Sequence, residues 1–195
     1  MIYGISLDNE ASYPLRHSSI PLNERNAAFI RWVSAYFTPL PDGVAISAES
    51  LQARVELTVP APTLLTLPPD EFEDLIELTA IEQSSALLDS ASDIRLENTR
   101  RTFLDADEVL PHVSVVILWC EQSVSFAMWA AKFLHELLGE EITTGKTKRK
   151  ASIVKMSNAN HFVRHPLDCC ALVLLNILHS ITGNNRNKWF GFYPK

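Results

Sequence analysis

Glycine is scarce, six in 195 residues, and those near the C-terminus, Gly183 and Gly191, stand alone. A backbone that cradles phosphate needs several glycines in one turn, so a nucleotide-type phosphate loop is excluded. Cysteine is scarcer still: Cys120, Cys169 and Cys170 are all there are. Neighbours in sequence seldom bridge, so no disulfide framework is expected. The first residues also lack a charged region followed by an apolar signal core. Together these features predict a reducing, cytoplasmic setting. Cys120 and Cys170 sit in apolar runs, where a thiol is ordinarily inert. Metal spacing is missing too, because His161 and His165 are four apart but Pro166 and a loop-like context keep them off one helical face. No metal and no cofactor are expected. Seventeen basic residues against 23 acidic ones give a net charge of -6, which removes the basic surface that nucleic acid requires. The one basic run, Lys146 to Lys150, reads as a solvated connection. The longest apolar stretch, Cys169 to Leu178, is too short to cross a bilayer, so no membrane span is expected.

What is present suits a globular domain: 47% of residues are hydrophobic, enough for a sizeable core at this length. Residues 1–108 read as helical and punctuated by proline. Asn23 to Phe37 predicts an amphipathic helix capped by Asn23, with Ala27, Phe29, Ile30, Val33 and Phe37 apolar, and Thr38 to Gly43 stops it. A helix over Ser47 to Val55 follows, then a linker holding Pro60, Pro62, Pro68 and Pro69, which forbids a continuous helix. Pro69-Asp70-Glu71 starts another, with acids favourably placed at the positive end of the helix dipole. Further helices are expected over Ile81 to Leu88 and Ile94 to Leu104.

Residues 109–195 read as α/β. Val113 to Leu118 is a buried-strand candidate, Ser125 to Leu138 a helix ending at Gly139, and Ser152 to Met156 a second strand. A Ser/Asn turn then presents His161, after which Pro166 can begin a helix whose apolar segment is Leu167 to Leu178. Strand, helix, strand, histidine loop and helix form a βαβα pattern. A histidine on such a turn can be held rigidly while its ring faces a cleft, as a general base must be. Trp189, Phe190, Phe192 and Tyr193 make the tail unusually aromatic, which favours its docking on the body.

The segment Leu110 to Ser123, followed by Asn158-Ala159-Asn160-His161-Phe162, resembles the last third of a fungal-type α/β-hydrolase. The resemblance covers roughly residues 109 to 180 and rests on short motifs. It implies the C-terminal part of an α/β-hydrolase fold, a short parallel sheet with flanking helices, preceded by a helical cap over residues 1–108. It implies His161 as the triad histidine and the Cys120 to Ser123 loop as the acid loop. Trp32, Tyr36 and Phe37 become candidates for the cap's apolar wall, beside their ordinary reading as core.

This sequence departs from the family pattern in two ways. Ser123 stands where the family carries its acid, and the nearest carboxylate is Glu121. A serine cannot hold an imidazolium by charge, so Glu121 is the best available orienter for His161. No Gly-x-Ser-x-Gly elbow occurs anywhere. The expectation is therefore a truncated member, its chain starting where the cap starts. Its ancestral activity would be hydrolysis of an ester, lactone or similar bond, in a setting of fungal secondary-metabolite or toxin synthesis. Its ligand would be a small apolar ester-like molecule. The alternative is a non-catalytic half-domain that binds a small apolar ligand, or a partner chain at an exposed sheet edge.

Overall fold

A computed structural model describes residues 7, 13–77, 81, 92–140 and 147–162. Its helices are α1 (Arg25–Ser34), α2 (Ala48–Gln52), α3 (Pro69–Leu75), α4 (Ser92–Leu104) and α5 (Ser125–Gly139). Its strands are β1 (Val115–Cys120) and β2 (Ala151–Met156), which pair in parallel from Val115 opposite Ala151 to Cys120 opposite Met156. The protein is thus mixed α/β, with α5 as the crossover between two parallel strands. The expected helix after Ile81, the segment Leu167 to Leu178, Cys169, Cys170 and the aromatic tail lie outside the described residues. Among the described residues no helix is long and apolar enough to cross a membrane.

One face of the sheet makes the core. Val115, Ile117, Ala151 and Ile153, which share a face by the two-residue period of strands, pack on buried Phe103 of α4 and on Leu134 and Leu137 of α5. Strand β1 is a continuous apolar run, the pattern of a strand covered on both faces. Its second face is less covered, and Leu118 keeps 45% of its surface exposed.

Several boundaries differ from the sequence reading for local reasons. α1 starts two residues late, because Pro21 opens a 3-10 turn over Leu22–Glu24 and Asn23 sits inside that turn instead of capping. It also ends at Ser34, where the chain becomes extended so that Phe37 can bridge Glu56 and bond Gln122. α2 starts as expected, Ser47 and Ser50 forming a reciprocal capping box, but stops at Gln52. The following residues have other partners: Arg54 turns inward and Val55 and Leu57 exchange main-chain bonds with Thr38 and Tyr36. β1 lies two residues later than expected. Leu110 and His112 take left-handed backbone conformations (φ 50° and 70°), which turn the chain before the sheet begins.

The basic run needs a correction. Arg149 is 4% exposed, not solvated. Its guanidinium donates to the carbonyls of Thr102 (2.6 Å), Leu110 (2.9 Å), Val113 (2.8 Å) and Val109. Lys148 donates to the Leu138 carbonyl at the end of α5, where a cation suits the helix dipole.

Candidate functional site

At the carboxyl end of β1 the loop Glu121 to Ser123 is fixed from three sides. Glu121 N–H donates to the Met156 carbonyl, Gln122 N–H to that of Ala159, and Ser123 N–H to that of Cys120. In return the Gln122 carbonyl accepts from Phe37 N–H, while Arg54 donates to the carbonyls of Ser123 (2.8 Å) and Glu121 (2.9 Å). Every main-chain polar group of the three residues therefore has a partner. Arg54 also donates from Nε to the Thr38 carbonyl (2.7 Å) and lies over the Phe37 ring. Burial pushes its pKa down to about 10, partly opposed by the charge of Glu121, and it stays cationic at neutral pH.

The loop after β2 is held as firmly. Asn158 makes the turn in a left-handed conformation (φ 56°) that asparagine tolerates. Asn160 is fully buried, donating to the Ser34 carbonyl (2.6 Å) and to Thr63 Oγ1 (2.8 Å), and accepting from Phe162 N–H (3.0 Å). The residues on both sides of the presented ring are thereby immobilised. His161 itself meets Phe162 edge-on at 5.6 Å.

These two loops meet at a cavity of about 240 Å³, lined by Ile117 to Cys120, Ser123, four α5 residues and His161. Four consecutive strand residues cannot share one face of a sheet, so the cavity runs along the edge of β1 that β2 does not occupy. Its far wall is Ala127, Ala130, Ala131 and Leu134, spaced as one helical face. The small side chains of the alanines leave the room.

His161 and Ser123 thus line one cavity, and Glu121 does not. The Glu121 carboxylate is engaged by Lys155 Nζ at 2.8 Å, and this pair raises the Lys155 pKa. Partial desolvation lowers the His161 pKa from its ordinary value. The neutral imidazole is thereby favoured, although the residue as a whole keeps an exposed surface. Ser123 is 1% exposed, and its Oγ has no hydrogen-bond partner among the described residues. Cys120 is buried beside it. Among the described residues no cluster of His, Cys, Asp and Glu is arranged to hold a metal.

The aromatic wall expected of the cap is elsewhere. Trp32 stacks in a cluster with Tyr13, Phe29 and Phe126, at ring separations of 5.2 to 5.9 Å from its own. Trp32 and Phe37 border a separate cavity of about 80 Å³ next to Arg54. Tyr36 accepts a long bond from Thr63. None of the three lines the His161 cavity. Sequence reasoning missed Arg54 and Asn160: the first stood in an ordinary helix, the second in a Ser/Asn turn, and no local pattern marks either as a clamp.

No protein-family model, curated protein or solved structure shows a significant match to the chain.

Proposed function

We propose that this chain holds the cap and C-terminal part of an α/β-hydrolase-type fold, of ester- or lactone-hydrolysing ancestry. In this reading it binds a small apolar ester-like molecule without turning it over unaided. The observation that supports it is the meeting of His161 and Ser123 on one apolar cavity at the carboxyl end of parallel strands. Ligand sites of open α/β sheets lie beyond that end. A neutral imidazole there can accept a proton from a nucleophile, as a triad histidine does. The absence of turnover follows from two other features. The chain has no Gly-x-Ser-x-Gly elbow, and Glu121, the only carboxylate of the loop, is held by Lys155. Without a positioned nucleophile the histidine has no proton to move.

The test is turnover of p-nitrophenyl acetate and butyrate by the purified chain, beside His161→Ala and free imidazole. The expected rate does not saturate and does not exceed that of imidazole. Saturable turnover that disappears in His161→Ala would overturn the non-catalytic reading, and would require a nucleophile among these residues.

The edge of β1 that no strand among the described residues occupies favours a second reading, in which a strand from a partner chain pairs there. Strand and small ligand would compete for the same edge. A self-associating chain whose dimer is dispersed by a small ligand would favour this reading.

A further inference from the structure

Ser123 combines three properties that rarely coincide. It is 1% exposed, it lines the cavity, and its Oγ is unpaired among the described residues although every main-chain group around it is bonded. Buried hydroxyls are ordinarily paired, and an orphan of this kind calls for an explanation such as a missing partner. The partner's chemistry is constrained by what surrounds it. Nearby carbonyls are already taken: those of Ser123 and Glu121 accept from Arg54, that of Gln122 from Phe37. A serine hydroxyl carries one proton to donate, and leaving that proton without an acceptor is the costly part of burying it, so the atom that completes the site is an acceptor. It is also neutral. No Lys or Arg lines the cavity, and Arg54 directs its N–H groups at carbonyls and at Ser125.

We infer that Ser123 is the recognition residue of this cavity, its hydroxyl donating to the carbonyl oxygen of a compact, uncharged ketone, ester or lactone. The hydrocarbon body of that ligand lies against Ala127, Ala130, Ala131 and Leu134. This assignment rests on the proposal that the cavity binds a small apolar molecule, and it names the group by which such a molecule is chosen. It also reverses the role that sequence position assigns to Ser123. Where the resembling family carries an acid that orients histidine, this chain carries a donor for the ligand.

The experiment compares acetophenone with α-methylstyrene, which replaces the carbonyl oxygen by a methylene group at nearly constant shape. Binding of each is followed by amide NMR on the full chain, on Ser123→Ala and on Ser123→Cys. Amides of residues 118–134 and of His161 are expected to shift with both probes. The ratio of the two affinities should favour the ketone in the native chain by roughly two- to tenfold more than in Ser123→Ala, the worth of one hydrogen bond. Ser123→Cys, a weak donor of similar shape, should fall between. The melting temperature of Ser123→Ala should not drop, since no bond is lost. An unchanged ratio with the same amides shifting would overturn the serine assignment and leave the cavity reading intact. No shift at these amides with either probe would overturn both. A lower melting temperature in Ser123→Ala would show that the hydroxyl already has a partner, which also overturns the assignment.

Discussion

The two ends of the sheet are built by the same device and finished differently. At the amino end Arg149 collects four carbonyls, from Thr102, Val109, Leu110 and Val113. At the carboxyl end Arg54 collects three, from Thr38, Glu121 and Ser123. Both guanidiniums are buried, and neither is bonded to a carboxylate among the described residues. A planar fork of five donors suits this work, since it can gather carbonyls whose lone pairs would otherwise be buried unpaired. The amino end stops there. The carboxyl end adds a buried asparagine clamp, a cavity, an imidazole, and one hydroxyl without a partner among the described residues. At the amino end the gathered carbonyls all have a donor, whereas at the carboxyl end one buried hydroxyl has no partner among the described residues.

The largest expected effect is at the amino end. Arg149→Ala strands four carbonyls and the left-handed turn that delivers Leu110, and should lower stability by about 3 kcal/mol or more. Denaturant unfolding measures it. If the variant still folds, ligand shifts at the His161 cavity should survive, because none of the four carbonyls that Arg149 gathers belongs to a residue of that cavity. A loss below about 1 kcal/mol would mean that water satisfies these carbonyls and that the amino-end clamp is not structural.

Arg54→Ala should cost less, about 2 kcal/mol, with three carbonyls released instead of four. It should nevertheless do what Arg149→Ala does not: weaken binding at the cavity, because Ser123 and Glu121 are held through their carbonyls by this one side chain. Equal ligand affinity in Arg54→Ala and the native chain would erase the distinction between the two ends.

How much of this was legible in the sequence follows the same division. Parallel strands joined by a helix were readable, because Val115 to Cys120 is a continuous apolar run and Ser125 to Gly139 repeats its apolar residues at helical spacing. Ser47 and Pro69 also marked helix starts correctly, since capping is chemistry between near neighbours. The clamps were not readable. Arg54 bonds residues 67 and 69 positions away, and Asn160 bonds one 126 positions away. Nothing in a local window marks a cation that will meet carbonyls rather than carboxylates. The same blindness made Lys146 to Lys150 look wholly solvated and left Glu121 as the nearest acid to His161, when Lys155 lies within its reach. Lys155 pairs with Trp119 in the ladder, so its reach to Glu121, two residues further on, could be known only once the register was.

The smallest effect concerns protons at the carboxyl end. Desolvation lowers the His161 pKa in the folded chain, so the unfolded chain binds a proton first as pH falls. The stability this histidine contributes is therefore fully present above its ordinary value of about 6.5, and is lost as pH falls through the lower, folded value. A ligand that displaces water from the cavity desolvates the ring further and lowers that pKa again. By linkage, acid must then weaken the ligand as well. Acetophenone affinity should be level from about pH 8 to 7 and decline as pH falls through the lowered pKa of the folded ring, while His161→Gln, which cannot titrate, should remain level throughout. Glu121 should not reshape this profile, because its carboxylate answers to Lys155 rather than to the ring, and Glu121→Gln should titrate like the native chain. A Glu121→Gln profile displaced from the native one would reveal a carboxylate coupled to His161, and would restore Glu121 as the group that orients the ring at the carboxyl end.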